Sequence, residues 1–459
     1  MSLAVERLAR FSGVPAAALR EELSALSGGL GSAEAPVLAH AVRTAERAVN
    51  TPGEGSPLPQ LADLARGDSS RGDRAIAART LSVLRDAGLY RDPYGVEPVW
   101  PHAGMLVLNP FLGCSFGCVY CFRAAEQQHA GPESFLNGAP VRVHDDAEVL
   151  DRLEAHPLLL RRATRVGLHS ATTEPFLPQV KESTFRLLEG IAARRLADEV
   201  MIITKFFLTR RDVERLNAVE GVQVQLLVTF NAAPASMEEM GGRAAVRRRR
   251  LALPELLAEH GVRWAHYYRP IVPGWNDGEE QIEEALRFGQ HAGVTVIGGL
   301  RAIAGQDAYA AARGLPAPPA PPEGDGKAFP PALVDKVVRA HSRLGLTSTL
   351  VADQSCGLTL LRSAALGEAV PNIEALRMYD EARCFGRCSP EQLRACAQPP
   401  RPAREDVAQA LSRLGIDAAF RVDARGVHLV RRGAAPGRAE VEALVAAFAY
   451  AVFVEGGDA

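Results

Sequence analysis

From about residue 104 onward, short apolar runs alternate with longer segments in which apolar residues recur every three or four positions. Short apolar runs bounded by turn residues predict buried strands, and the longer period predicts helices that bury one face. Strands are expected at Met105–Leu108, Thr164–Leu168, Glu199–Ile203, Val222–Thr229, Arg263–Ile271 and Val294–Leu300. Helices are expected at Ala147–His156, Glu182–Arg195, Arg211–Ala218, Arg247–His260 and Glu279–Ala292. Such alternation predicts successive βαβ units and a parallel sheet, hence an α/β fold. Six units fall short of the eight that close a TIM barrel, so the expected core is a partial one. Its chemistry should lie on the loops that follow the strands.

The flanks read differently. Residues 1–100 show helical periodicity interrupted by Ser27–Ser32 and Asn50–Pro57, an N-terminal helical region. The core spans 101–310, and a Pro-rich linker follows at 311–330, centred on Leu315–Gly326. Residues 331–400 open with a helix at Pro331–Leu344 and carry a second set of cysteines. Residues 401–459 read helix–strand–strand–helix, a small α+β cap with a hairpin over Phe420–Val430. No internal repeat or heptad array is present.

With 459 residues, 47% of them hydrophobic and 23% charged, the chain can bury a large core in more than one domain. A formal net charge of −2 leaves no electrostatic footprint for nucleic acid, so no such partner is expected. No apolar run reaches membrane-spanning length, and the first residues read as an amphipathic helix without a signal-peptide core. A cytoplasmic location is therefore expected, where thiols stay reduced and cysteines bind metal more often than they pair.

The chain has seven cysteines. Cys114, Cys118 and Cys121 stand in Asn109-Pro-Phe-Leu-Gly-Cys-Ser-Phe-Gly-Cys-Val-Tyr-Cys-Phe122, directly after the first core strand. Three thiolates on one loop hold three corners of a 4Fe–4S cube and leave the fourth iron open for chemistry. An odd trio cannot pair within itself. Zinc remains an alternative, although a structural zinc wants four ligands. The other four are Cys356, Cys384, Cys388 and Cys396. Three plus four uses every thiol, in one open and one fully ligated cluster; a structural zinc, or plain burial of some members, is the alternative for the second set.

The C-x3-C-x2-C spacing, with Tyr120 before its last cysteine, resembles the signature of the radical S-adenosylmethionine (radical SAM) superfamily. Over about residues 100–305 the chain is similar to the spore photoproduct lyase-like branch, through Asn109–Cys114, Thr173–Pro178, Ile203–Lys205 and Tyr268–Asp277. The resemblance implies a partial (β/α)6 TIM-like barrel. It also implies an open iron that chelates S-adenosylmethionine and delivers one electron to its sulfonium. The 5′-deoxyadenosyl radical so released takes a hydrogen from the substrate. An external donor such as flavodoxin or ferredoxin would supply the electron.

By the same resemblance Tyr120, Glu174, Lys205, Thr229, Asn231 and Arg250 bind the cofactor. Glu174 matches the group for the methionine ammonium, although the branch usually has Asp-Pro where this chain has Glu-Pro. Lys205 and Arg250 match cations near the methionine carboxylate, and Thr229 and Asn231 sit where the ribose is met. The plain readings are a strand-end cap for Lys205 and a solvated Arg247–Arg250 run. Candidate substrate contacts are His169, with Ser170 beside it, and His266, Tyr268 and Arg269. Strand alternation puts His266 and Tyr268 on one side and Tyr267 and Arg269 on the other. The loop Gly298–Ala302 is a further candidate, since glycine permits close backbone approach.

No cysteine lies between Cys121 and Cys356, where photoproduct lyases keep an extra one, which argues against DNA photoproduct repair. The second cysteine set resembles the auxiliary-cluster extensions of radical SAM dehydrogenases and maturases. The expected reaction is a redox transformation of a small polar metabolite in natural-product biosynthesis, assisted by an auxiliary 4Fe–4S cluster. The alternatives are a peptide-modifying maturase, with a terminal domain gripping a leader peptide, and a non-catalytic metal-binding protein.

Overall fold

The computed structural model describes residues 98–102, 104–121, 140–142, 144–161, 164–168, 172–301, 306–320, 329–352, 354–371, 388–432, 436–448 and 450–455. Residues 1–97 of the expected N-terminal helical region, His169, Ser170 and Cys384 therefore lie outside the described residues, and the last residues of that region begin a strand.

A hairpin of β1 (Val99–His102) and β2 (Met105–Leu108) comes first, followed by β3 (Phe111–Leu112), which pairs with β4 (Val141–Arg142). Then come α1 (Asp146–Glu154), β5 (Arg165–Leu168), α2 (Lys181–Arg194), β6 (Glu199–Thr204), α3 (Arg210–Asn217) and β7 (Gln223–Thr229). After α4 (Glu239–Gly242), α5 (Ala244–Leu251) and α6 (Leu253–Glu259), the chain forms β8 (Trp264–Tyr268), α7 (Glu279–Phe288) and β9 (Val294–Ile297). Next are α8 (Gln306–Ala312), α9 (Pro331–Arg343), β10 (Thr349–Val351), α10 (Gln354–Leu366) and α11 (Pro390–Ala397). The C-terminal unit holds α12 (Arg404–Arg413), β11 (Ala418–Val422), β12 (Val427–Arg431), α13 (Arg438–Phe448) and β13 (Val452–Glu455).

One eight-stranded sheet organises the core, in the order β1-β2-β5-β6-β7-β8-β9-β10, and every pairing from β2 onward is parallel. β1 and β10 are its two edges, so no closed barrel forms. The six expected strands are all present, and the sheet exceeds expectation by β1 and β10. Pro101 lies in β1, an edge strand, where a missing N–H is tolerated. The expected Arg263–Ile271 strand stops at Tyr268, just ahead of Pro270, and Val294–Leu300 stops before the Gly298-Gly299 pair. The expected Arg247–His260 helix is two helices, broken at Ala252, with Pro254 in the first turn of the second.

Strands β5 and β8 are buried at every position, as parallel strands covered on both faces must be. On one face Leu106, Val166, Ile202, Val228, Trp264 and Tyr268 pack with apolar residues of α1, α2 and α7. On the other face Met201, Leu227, Ala265, Tyr267, Val294 and Val296 meet Leu358 and Leu361 of α10. Gly357 makes that docking close: a Cβ there would stand 2.5 Å from Val296 Cγ2. At the foot of the same helix Arg362 Nε lies 2.8 Å from Glu199, whose second oxygen lies 2.8 Å from Arg165 Nε. Arg165 and Glu199 are the first residues of β5 and β6, so this ion triad marks the N-terminal edge of the sheet.

In the C-terminal unit β11 and β12 form the expected hairpin, and β13 adds a parallel third strand. The unit has its own core, built on Val407, Leu411, Val427, Leu429, Leu444 and Tyr450, with Leu160 of the larger domain packed against it. It docks at the start of β2, where a Cβ on Gly104 would meet Ala446 Cβ at 2.7 Å. That is the edge opposite the loop that follows Leu108.

Candidate active site

Directly after β2 the chain turns into the cysteine loop. Gly117 has φ +69, and a Cβ there would lie 2.8 Å from Glu239 Cβ, so only glycine lets the loop close on its neighbour. That neighbour is the segment running into α4. Val119 N–H donates to Met237 O at 2.9 Å and Met240 N–H donates to Phe116 O at 3.1 Å, while Cys118 and Glu238 form an isolated antiparallel bridge. Gln306 of α8 adds a brace, donating through Nε2 to Val119 O at 3.2 Å. Cys118 is buried, Cys114 and Cys121 are half-buried, and none of the six described cysteines is in a disulfide.

The three thiols act on one another electrostatically. Burial pushes the Cys114 thiol up to about 12, with the Phe116 backbone amide opposing and Cys121 adding to the rise. Burial also pushes up Cys118, against the pull of Lys205. Among the described residues no group of three or more His, Cys, Asp or Glu side chains is placed closely enough to hold a metal ion. Soft sulfur donors in an odd number, one of them already accepting an amide hydrogen bond, fit three corners of a 4Fe–4S cluster.

Lys205 follows the last residue of β6, and its ammonium lies against this loop. Nζ stands 3.7 Å from Cys118 Sγ, donates to Tyr120 Oη at 3.0 Å, and lies 4.2 Å from the Tyr120 ring centroid. Glu174 reaches the same corner: it accepts from the Thr204 hydroxyl, from Lys205 N–H at 2.8 Å and from Phe176 N–H at 3.3 Å. Burial raises the Glu174 carboxyl above its usual range despite those donors and the nearby Lys205. Burial works against the Lys205 charge too, but Cys118, Glu238, Cys121 and Glu174 together hold its ammonium above the usual range.

Arg250 is 3% exposed and is not part of a solvated run. Its Nη1 donates to Glu238 Oε2 at 2.7 Å and its Nη2 to Thr229 O at 3.1 Å. The other oxygen of Glu238 accepts from the Tyr120 hydroxyl. Glu238 is thus a member of the site that the sequence reading missed. Its partners stand 118 and 12 positions away, and no local motif marks it.

Strand register settles the two faces of β8. Thr204, Val228 and His266 are cross-strand partners, as are Thr229 and Tyr267, so Lys205, Thr229 and Tyr267 share the face opposite His266. His266 and Tyr268 lie in the helix-side core, stacked at 5.7 Å, with His266 Nε2 donating to Phe230 O at 2.8 Å. These two candidate substrate contacts therefore face away from Lys205. Arg269 follows β8 and covers the Tyr267 ring at 3.7 Å from its centroid. Its side chain lies over Gly298, where a Cβ would come within 3.3 Å of Arg269 Cδ.

Along this edge Thr173 Oγ1, Thr229 Oγ1 and Asn231 Oδ1 are buried without a hydrogen-bond partner. Asn231 Nδ2 donates to Pro270 O at 3.2 Å. Buried polar atoms are ordinarily satisfied, so orphans gathered beside the cysteine loop fit a polar ligand. At the second cysteine set, Cys356 packs beside the α10 side of the sheet and Cys396 Sγ lies 3.3 Å from Gln392 Nε2. Gln392 also accepts from Ser363 at 2.8 Å, which ties α11 to α10.

No protein-family model and no curated protein sequence matches the chain. Among solved structures, it is similar to a radical SAM methyltransferase from Sphaerobacter thermophilus, 18% identical over 57% of this chain and 70% of that one, with a TM-score of 0.36. It is similar to the radical S-adenosylmethionine methyltransferase TsrM from Kitasatospora setae, 17% identical with a TM-score of 0.31, over 42% of this chain but only 36% of that one. A third is HydG, a maturase of the FeFe hydrogenase, 12% identical over 75% of this chain and 69% of that one, with a TM-score of 0.36. Two of these three solved structures are thus radical SAM methyltransferases.

Proposed function

We propose that this chain is a radical SAM enzyme and that its open sheet is the partial barrel of that superfamily. The observation that carries the reading is the placement of Cys114, Cys118 and Cys121 on one loop at the C-terminal edge of a parallel sheet, with the Lys205 ammonium 3.7 Å from Cys118 Sγ. Cys114, Cys118 and Cys121 would hold three irons of a 4Fe–4S cluster. When bound, that cluster and S-adenosylmethionine supply one-electron cleavage of a sulfonium and a carbon radical that takes a hydrogen atom.

The chain's own residues do the rest. Lys205 offers a cation for the methionine carboxylate, already turned toward the loop by Tyr120. Glu174, fixed by three donors, keeps lone pairs for the methionine ammonium. Thr229 and Asn231 bring unsatisfied oxygens for the ribose. Arg250 is committed to Glu238, so its part is to hold the loop's supporting carboxylate. Glu174, Thr229 and Asn231 are buried, which keeps water from the place where a reactive radical would form.

For the reaction itself we assign oxidation of a small polar metabolite. Arg269, lying over the Tyr267 ring, supports a polar substrate. Four thiols beyond the trio, two of them on the linked helices α10 and α11, support an auxiliary cluster on Cys356, Cys384, Cys388 and Cys396. The test is anaerobic reconstitution with iron and sulfide, then incubation with S-adenosylmethionine and dithionite. Release of 5′-deoxyadenosine is expected, with about eight irons per chain if both clusters form. Zinc uptake at the trio without 5′-deoxyadenosine overturns the reading.

A further inference from the structure

Glu238 has no exposed surface. It sits on the segment strapped to the cysteine loop, bridged to Cys118 through the backbone. One carboxylate oxygen accepts from the Tyr120 hydroxyl and the other from Arg250 Nη1 at 2.7 Å. Tyr120 Oη also accepts from Lys205 Nζ at 3.0 Å, so one hydroxyl links this buried anion to the cation beside Cys118. A Cβ on Gly241 would stand 2.3 Å from Glu238 Oε2 and 2.5 Å from Arg250 Nη1, so the glycine leaves room for the pair. Two aromatic rings enclose it further: Arg250 lies 5.5 Å from the Phe116 ring and 5.2 Å from that of Phe230.

Resting on the radical SAM reading, we infer that Glu238 is a positioning residue that sets the charge at the cysteine loop. Paired with Arg250, it fixes the field at Cys118 and with it the reduction midpoint of the cluster held there. The physical basis is that cluster potentials follow local net charge and hydrogen bonding to the sulfurs, and that buried charges are poorly screened. An electron added to the cluster is disfavoured by the Glu238 carboxylate and favoured by the Arg250 guanidinium. Glu238 is wired to the loop by the backbone bridge and by Tyr120, whereas Arg250 reaches the loop through Glu238 and the Phe116 ring.

The pair therefore predicts opposite signs. Glu238→Gln keeps shape and most hydrogen bonds, removes the anion and leaves Arg250 uncompensated, which moves the midpoint in the positive direction. Arg250→Gln removes the cation and moves it in the negative direction. The double variant returns toward wild type, and Glu238→Asp, which keeps the charge, stays near it. The expected change for each single variant is at least tenfold in the reduced-to-oxidised ratio at fixed potential, about 59 mV for one electron.

The experiment is a dithionite titration of the reconstituted full chain followed by electron paramagnetic resonance, with iron content measured first. A residue that serves packing alone would change iron uptake or thermal stability without sign-opposed midpoints. Equal midpoints in wild type and Glu238→Gln overturn the inference. If Glu238→Gln takes up no iron, Arg250→Gln carries the test, and a midpoint that is unchanged or more positive overturns it. A wild-type chain that takes up no iron and sulfide overturns the cluster reading instead, which separates the two failures.

Discussion

Lys205 divides one charge between a sulfur and a phenol, and that division makes it the most telling side chain to change. Charge-assisted hydrogen bonds contribute about 1.5–3 kcal/mol. Lys205→Met is therefore expected to weaken S-adenosylmethionine binding by about tenfold or more while iron uptake persists. Equilibrium dialysis on the reconstituted chain reads the first and iron analysis the second. Replacing Cys114, Cys118 or Cys121 by Ala should remove both. Replacing Cys388 should spare cofactor cleavage but lose the substrate product. His266 gives a separate handle: burial pulls its imidazole down to about 4 from 6.5, against a backbone hydrogen bond to Phe230. Between those values the unfolded chain binds a proton that the folded chain refuses. Stability is thus unaffected above about pH 6.5 and falls by about 3 kcal/mol as pH drops toward 4. Denaturation across that window should show the loss, and His266→Gln should flatten it. The trio was legible because its spacing is local. The side on which His266 lies was not, because alternation fixes only relative faces and cross-strand register decides the rest.

At the scale of elements, α10 is the piece that the residue pattern did not disclose. The strands were readable because burial on both faces makes each a continuous apolar run, and the helices because one stripe is buried. A helix that docks on the second face of a sheet carries the same stripe as any other, so its place depends on partners far along the chain. Gly357→Val should lift α10 from Val296 and destabilise the fold by about 1–3 kcal/mol, as overpacking does. Glu199→Gln should act more strongly, by about 3–5 kcal/mol, because it breaks a buried ion pair. Thermal or denaturant midpoints check both, with the larger loss expected for Glu199. β10 escaped notice for a simpler reason: three residues are too few to show a period.

Across the whole molecule the two ends of the sheet have separate tasks. The cysteine loop, Lys205, Glu174 and the orphaned hydroxyls gather at the C-terminal edge, and the C-terminal unit docks through Gly104, Leu159 and Leu160 at the other. Arg413 Nε, for example, reaches Leu159 O at 3.4 Å. Ending the chain before residue 401 should lower the unfolding midpoint yet leave iron uptake at the trio intact, as iron analysis of the shortened chain would show. Among the described residues no helix is long and apolar enough to cross a membrane.

Arg362 clasping Glu199 has a kinetic corollary. The contacts join Arg165, Glu199 and Arg362 across a long stretch of chain, so they can close only late in folding. Arg362→Ala should therefore speed unfolding more than it slows refolding, as stopped-flow kinetics would read.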